Sequence, residues 1–538
     1  MLPDSNRELK KSGHSEITRG AAVIGFAVIL SRILGLIREI FVLTMFDPWV
    51  TDAFFAALRI PSTLRRLFAE GALSAGVIPV FTKWLKTKPP KKTSEFAGAL
   101  LVTFFCILFV VSILGILLSP LIVRLFTMGF LKDPEKLDLA VGLTRLMFPF
   151  ILFIGIAALF AGLLNSARHF FLPALGPAVQ NIVFILAALF ICPIMGPLQQ
   201  NMVYGLAIGV LVGALLQVLI QLPAFKMKNL RFTFSRTFKH PAVKKVLLLM
   251  SPAVWGMGIT QINLLVDQFL ASWLGNGPIS YLYVATRLYQ FPMGVFAVSI
   301  STVAFSHMSA LAAENDMEGL KNTLSYSLRQ VLFIMICSTA GLIALGLPVI
   351  NLLFGYGKFA ANASAIPTYY SLVAYSAGMF AYGGSMLFVR AFYSLKDMVT
   401  PVKISCIALL ANVILNLILV VPFGYVGLAF ATSLSAVIGL YLLAYKLKMK
   451  VGRIRGREIF SNFIKTAVVS AVMFVVTYFS YRLLLYFEAG RDGLLLKFIN
   501  VFVPMGIAGL LVFVLCRLLG IVELDEIIKA FSKREKGY

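Results

Sequence analysis

Long apolar runs, separated by short polar or Gly- and Pro-containing links, dominate this chain of 538 residues. A helix crosses the hydrocarbon core of a bilayer with about 20 apolar residues. On that scale the pattern predicts helices over 21–46, 54–84, 96–126, 137–164, 172–195 and 202–225. Six more are predicted over 246–274, 279–305, 320–354, 363–393, 399–421 and 424–447, and two follow over 459–486 and 494–519. The fold class expected is an all-α polytopic membrane protein with fourteen transmembrane helices. The run at 21–46 is too long for a signal-peptide core and lacks a small-residue cleavage site, so it reads as a retained first helix. The polar tail VELDEIIKAFSKREKGY suits a short amphipathic helix on the membrane surface.

The links carry charge in alternation. Lys83, Lys86, Lys88, Lys91 and Lys92 lie between the second and third runs, and Lys226, Lys228, Arg231, Arg236, Lys239, Lys244 and Lys245 between the sixth and seventh. Lys446, Lys448, Lys450, Arg453, Arg455 and Arg457 lie between the twelfth and thirteenth, whereas links such as GPLQQN and GNGP carry almost no charge. Basic residues collect on the cytoplasmic side, which predicts both termini there. An odd helix count would break the alternation.

An internal repeat divides the chain. NSARHFFLP ending at Pro173 resembles YSLKDMVTP ending at Pro401, each with a basic residue two positions after its Ser. GLAIGVLVGA from Gly205 resembles GLAFATSLSA from Gly427, and LRIP ending at Pro61 parallels RLYQFP ending at Pro292 more weakly. The offsets are 228, 222 and 231 residues, so the unit is six helices, and an even number gives a parallel repeat about an axis along the membrane normal. The organisation expected is a cytoplasmic N-terminal segment (1–20), a six-helix lobe (21–225), a basic loop (226–245), a second six-helix lobe (246–447), a basic loop (448–458), two further helices (459–519) and a cytoplasmic tail (520–538). Two lobes with a cleft between them is transporter architecture.

Composition closes off other classes. The chain is 59% hydrophobic and 13% charged, with a mean hydropathy of +0.91. Soluble domains are about half apolar and a quarter charged, so a soluble enzyme is excluded, as is disorder. The net charge of +25 suggests nucleic acid on a soluble protein, but here the basic residues sit between apolar runs. Cys106, Cys192, Cys337, Cys406 and Cys516 lie in apolar stretches with no CxxC pair, and His14, His169, His240 and His307 are scattered near run ends without metal-ligand spacing.

Several charges lie inside the runs. Arg32 and Arg38 fall in the first, Arg59, Arg65 and Arg66 in the second, and Arg287 early in the eighth. An arginine at mid-bilayer costs at least about 2.5–3.5 kcal/mol on insertion scales. For Arg59 and Arg66, snorkelling to the interface stands level with a cavity role, and Arg66 has Glu70 four residues on. Arg32, Arg38, Arg65 and Arg287 favour a cavity: they cluster, they recur in the repeat, and Gly35 and Pro61 loosen the helices beside them. Glu39 adjoins Arg38 and Asp52 follows Thr51, leaving the first lobe net cationic. Guanidinium binds phosphate oxygens in bidentate fashion, so the cargo expected is a phosphate or diphosphate.

Asp267 stands in QINLLVDQFLASW with no basic residue nearby in sequence, the pattern of a proton or cation site. Asn412 and Asn416 lie one helical turn apart, and Thr432 follows in the next run. Their oxygens suit a hard cation such as sodium, while hydrogen bonding between helices explains the amides equally well. No GxxxxGK[ST] loop or catalytic constellation is present, so direct ATP use is not expected, nor is an enzyme. No other cofactor is expected.

The strings SRILGLIRE, TDAFFAALRIPSTLRRLFAEGALSAGVIPVF and RLYQFPMGVFAVSIST, with GKF at Gly357, FYSLKD at Phe392 and TPVKI at Thr400, resemble the MurJ (MviN) family. These are the bacterial lipid II flippases of the multidrug/oligosaccharidyl-lipid/polysaccharide exporter superfamily. The resemblance runs from about Gly20 to Lys450 and weakens over the last two helices. It implies an inner-membrane transport protein of peptidoglycan synthesis, cell wall biogenesis and cell shape. Such a protein flips undecaprenyl-diphosphate-linked precursor from the cytoplasmic to the periplasmic leaflet, driven by an ion gradient or the membrane potential. It implies substrate-binding roles for Arg32, Arg38, Arg65 and Arg287 with Asp52 as acidic partner. It also implies a sodium site at Asp267, Asn412, Asn416, Thr432 and the Leu428 carbonyl. Some relatives carry an acid at the positions of Asn416 and Thr286, and this chain does not. The last two helices would line a groove for the lipid tail. The expected partners are the lipid-linked glycan and membrane lipids, with no nucleic acid and a monomeric state.

Three rivals stand beside this reading. A multidrug exporter of the same superfamily would favour acids in its cavity. A flippase for another lipid-linked glycan, such as O-antigen, shares the diphosphate, and only the strings argue against it. A membrane glycan polymerase needs a catalytic acid and usually a large outer loop, and the outer links here are short.

Overall fold

A computed structural model describes residues 4–67, 72–228, 230–233, 240–488, 493–521 and 523, with side chains from residue 25 onward except at 72, 74, 75, 251–257, 259, 260 and 488. Glu70 and all of the polar tail except Glu523 lie outside the described residues. Every ordered element is helical. Nine helices among the described residues are long and apolar enough to cross a membrane, and a bent pair, Ala365–Ser376 with Met379–Ser394, makes a tenth. Among the described residues the apolar runs of the sequence fall largely on helix, and the elements are consistent with fourteen spans. The chain is a multi-pass membrane protein.

Proline starts many of these helices, where its missing N–H costs nothing: Pro48, Pro90, Pro134, Pro241 and Pro278 each open one. Asp133 and Asp316 cap theirs by accepting from Lys136 N–H and Gly319 N–H. Proline also interrupts. π-Helical turns at Ala187–Ile191 and Met293–Ala297 sit beside Pro193 and Pro292. The predicted run 137–164 is two helices, Pro134–Met147 and Phe150–Ser166, meeting at Pro149.

The runs 399–421 and 424–447 form a hairpin at Gly424, whose φ of 56° reverses the chain. Asn412 bonds forward to Thr432 and Ser435 across the hairpin. Gly427 closes it, since a Cβ there would lie 2.2 Å from the Leu419 carbonyl oxygen. The matching Gly205 opens helix Gln199–Leu219 to the backbone of Cys192, 2.8 Å from where its Cβ would be. The repeated GLA string therefore serves close helix approach in both places.

The chain divides into two compact units, Met1–Trp273 and Leu274–Tyr538. In the first, Asp4–Met45 packs on Phe171–Leu186, Pro48–Arg65 on Pro134–Met147, and Ala72–Thr87 on Phe150–Ser166. Phe54, Phe81, Phe96, Phe148, Leu100 and Leu143 are fully buried. Helix Pro241–Ala271 belongs to this unit and packs on Ala72–Thr87 and Pro90–Phe126, although the repeat arithmetic groups it with the second lobe. A repeat records which segments are alike, not which ones touch. Gly76 makes that contact, with no room for a Cβ against Val246 and Met250. In the second unit Met317–Phe354 packs on Gly456–Glu488 and Leu494–Leu518, sealed by Phe333, Val469, Cys516 and Ile521. Outward faces are apolar: Phe109, Leu117, Leu121 and Leu125 along Pro90–Phe126 are exposed, as a lipid solvent requires.

Candidate functional site

The cations of the first unit are built into helix contacts. Arg38 Nη2 donates to Glu39 Oε1 at 3.1 Å, and Nη1 donates to Asn181 Oδ1 at 3.1 Å. Its guanidinium also lies 5.5 Å from the centre of the Phe184 ring. Asn181 is fixed in turn by donating to the Ser31 carbonyl at 3.0 Å. Gly35 admits this amide, since a Cβ there would meet Asn181 Nδ2 at 3.5 Å. Arg38 keeps 21% of its side chain exposed, so it is oriented yet reachable. Arg32, six residues earlier on the same helix, is exposed. Arg65 is half-buried at the end of Pro48–Arg65. Arg59 does not reach outward: its Nη1 donates to the Leu264 carbonyl at 3.3 Å.

That bond bears on Asp267. The acid is 4% exposed, and the stretch around it faces Pro48–Arg65, because Gln268 Nε2 donates to the Ala56 carbonyl at 3.4 Å. Arg59 therefore arrives within one helical turn of an acid that has no cation near it in sequence. Distance along the chain hid this neighbour.

Asp52 is fully buried, and its Oδ2 lies 3.3 Å from Lys136 Nζ, itself 2% exposed. The ammonium sits 4.6 Å from the centre of the Phe130 ring. Lys136 was missed by sequence reasoning, although one signal was there. It stands in the first turn of Pro134–Met147, where the helix dipole disfavours a cation. Around it Trp49 Nε1 donates to Asp133 Oδ2, and Gln199 Nε2 to Asp47 Oδ2, both at 2.5 Å.

In the second unit Arg287 Nη2 donates to Tyr283 Oη at 2.8 Å, with the guanidinium 4.9 Å from that ring's centre. Asn412, Asn416, Leu428 and Thr432 lie together. Asn416 Nδ2 donates to Asn412 Oδ1 at 2.8 Å, Asn412 Nδ2 to Thr432 Oγ1 at 3.3 Å, and Thr432 Oγ1 to the Leu428 carbonyl at 2.9 Å. All four residues are buried. Asn412 Oδ1, Thr432 Oγ1 and the Leu428 carbonyl oxygen are thus engaged in neutral hydrogen bonds that tie the hairpin together. The donor set has the right atoms for sodium but no charge of its own, and Asp267 belongs to the other compact unit. Among the described residues no three His, Cys, Asp or Glu converge as a metal group.

Outside the membrane-spanning segments, Asp397 is the most perturbed carboxylate. Burial is the largest single influence and pushes its carboxyl up, but bonds from Lys450 at 2.7 Å and from the Thr400 amide and hydroxyl, with the Lys450 charge, together outweigh it and hold the group at about 2.

Comparison with known proteins follows this geometry. Residues 41–490 match the family described as lipid II flippase MurJ. A probable lipid II flippase MurJ of Vibrio cholerae is 35% identical over 435 residues, covering 79% of this chain and 82% of that protein. The lipid II flippase MurJ of Burkholderia cenocepacia is 33% identical over 433 residues, covering 80% and 83%. A solved structure of lipid II flippase MurJ in an inward closed conformation superposes with a TM-score of 0.75 at 28% identity, over 93% of this chain and 99% of that one. An inward-facing multidrug transporter of the MATE family superposes with a TM-score of 0.65 over 79% and 96%, and at 14% identity it shares the fold alone.

Proposed function

The chain belongs to the MurJ family of lipid II flippases, and on that premise we propose that it carries lipid II from the cytoplasmic to the periplasmic leaflet of the bacterial inner membrane by alternating access. Lipid II is taken here as the undecaprenyl-diphosphate-linked peptidoglycan precursor. No covalent bond changes in this reading: the chain is a carrier, acts as a monomer and has both termini in the cytoplasm. The observation that carries it is the treatment of the arginines. Arg38 is held by Glu39, Asn181 and Phe184, and Arg287 by Tyr283, inside helices whose outer faces are apolar. A guanidinium fixed in orientation and shielded from bulk water matches diphosphate oxygens in bidentate fashion. Arg38 keeps 21% of its side chain exposed beside the buried Glu39, so a doubly charged cargo can reach it.

Arg32, Arg38 and Arg65 in the first unit and Arg287 in the second take the diphosphate in this reading. Asp52 tunes the local charge through Lys136. Helices Gly456–Glu488 and Leu494–Leu518, outside the repeat, accompany the lipid tail. The return of the empty cationic carrier needs a driving force. A potential of 100 mV contributes roughly 2.3 kcal/mol per elementary charge moved, and Asp267 is the acid through which a cation gradient biases that step.

Liposomes carrying lipid II and the purified protein test this. Wild type moves lipid II when a cation gradient or potential is applied. Arg32→Ala, Arg38→Ala, Arg65→Ala and Arg287→Ala insert but do not flip, and the Lys variants keep part of the rate because a point charge lacks the fork. Asp267→Asn slows turnover and leaves cargo affinity in place. Alanine variants as fast as wild type would remove the arginines from the cargo site.

A further inference from the structure

The helices outside the repeat carry a second cationic site. A cavity of about 520 Å³ opens where Met317–Phe354, Gly456–Glu488 and the turn after Leu494–Leu518 meet, lined among others by Arg329, Arg455, Arg457, Asn462, Lys465 and Glu523. Four cations face it against two carboxylates, Glu458 and Glu523. Both carboxylates are engaged, Glu523 with Arg329 at 3.4 Å and Glu458 with Arg455 at 3.5 Å. Lys465 donates to the Leu519 carbonyl at 3.1 Å. Arg457 is exposed and has no ion pair among the described residues.

The inner wall is short of acceptors. Asn462 is 8% exposed and, among the described residues, its Nδ2 is buried without a hydrogen-bond partner, as is Nε of Arg329. A buried donor left unbonded costs roughly 1–3 kcal/mol, so two such donors on residues that line one cavity favour an acceptor there. Surplus positive charge and orphaned donors together specify an oxyanion. We propose that this cavity binds a phosphate group, with the Asn462 amide and Arg329 Nε as its inner donors and Arg457 and Lys465 at its mouth.

The surroundings say where that phosphate comes from. Phe460, Ile464 and Val468 recur every four residues on the helix that carries Asn462 and Lys465, and they are 65%, 48% and 52% exposed. An apolar stripe leading away from a cationic pocket at a helix end is the arrangement of a phospholipid site, headgroup in the pocket and acyl chains along the stripe. By the basic-loop alternation the pocket lies at the cytoplasmic face, with 448–458 at its edge.

The test uses the full-length protein in nanodiscs, with a fluorescent phosphatidylglycerol as probe and phosphatidylcholine as comparison lipid. Wild type retains phosphatidylglycerol in preference to phosphatidylcholine. Asn462→Asp, which replaces the donor amide by a repelling carboxylate, and the doubly neutralised Arg457→Gln/Lys465→Gln each weaken retention about tenfold or more. Arg453→Gln, a nearby exposed cation that does not line the cavity, leaves it unchanged. The melting temperature of each variant is measured alongside, and the surface pair Arg457/Lys465 keeps the test open if Asn462→Asp does not fold. Competition by millimolar inorganic phosphate shows that the pocket reads the phosphate alone. Its absence, with lipid retention intact, shows that the acyl stripe is required. Retention unaltered in both variants overturns the site, as does an equal loss in Arg453→Gln, which reduces it to general surface charge.

Discussion

Replacing Lys136 by Met separates two jobs that Asp52 can hold. The pair is 3.3 Å apart with side chains 2% and 0% exposed, so neither charge can be resolvated when the other is lost. At an effective dielectric near 20 their attraction is about 5 kcal/mol, and deleting one partner of a buried pair costs about 3–5 kcal/mol. Lys136→Met is therefore expected to lose that much stability. Lys136→Met combined with Asp52→Asn should recover most of it, because two neutral groups in place of a buried pair cost little. The assay is the fraction of monodisperse protein after graded heating in detergent, paired with complementation of a strain depleted of its own flippase. If Asp52 serves only the ion pair, the double variant restores both readouts. If its charge also shapes the cationic route of the cargo, the double variant is stable and fails to complement. A Lys136→Met protein as heat-stable as wild type would refute the buried-pair reasoning.

Further expectations concern single positions. Gly427→Ala places a Cβ 2.2 Å from the Leu419 carbonyl oxygen and should cost about 1–3 kcal/mol as the hairpin is forced apart, read as a lower heat-denaturation midpoint. Asp397 has a folded-state pKa held at about 2, below its ordinary 3.8. It therefore contributes stability above 3.8 that is lost as pH falls through 2. Lys450→Met should flatten the fall in heat stability across that window in purified protein. A single cysteine at Gln200, in a cysteine-free background, should react with an impermeant reagent in intact cells, and labelling only after permeabilisation would reverse the orientation.

The spans were legible because one length scale governs them: a bilayer demands about 20 apolar residues and the chain supplies them. What the runs concealed were their internal breaks. Nothing in FPFILF marks Pro149 as a joint between two helices rather than a kink within one, and the π-turns beside Pro193 and Pro292 add a residue without altering hydropathy. The arginines were legible because a charge among apolar residues is anomalous at sight. Their partners were not, since Asn181 is 143 residues from Arg38 and an amide is unremarkable in its own segment. Spacing puts Asn412 and Asn416 one helical turn apart, yet spacing does not say whether an amide oxygen is open or taken. Here Asn416 takes that of Asn412.

The repeat is sharper in conformation than in letters. Helix Phe150–Ser166 ends with Arg168 at φ 57° and His169 N–H bonded to the Leu164 carbonyl, while Met379–Ser394 ends with Lys396 at φ 59° and Asp397 N–H bonded to the Phe392 carbonyl. Both are Schellman closures, in which glycine is the usual residue. A basic residue in that left-handed state costs roughly 1–2 kcal/mol, and the cost is borne twice at matched positions. The electrostatics then diverge. Asp397 meets Lys450 in an ion pair, whereas the equivalent His169 is held below its ordinary pKa, by burial first and then by Lys228, which lies 222 residues before Lys450. Loss of a proton lets His169 sit near Lys228 without repulsion, so the first loop tightens as pH rises past the histidine range while the second stays locked down to acid. Two halves with one backbone template thus carry latches of different strength. Changed side chains on a kept backbone frame thus give the two matched turns different pH ranges.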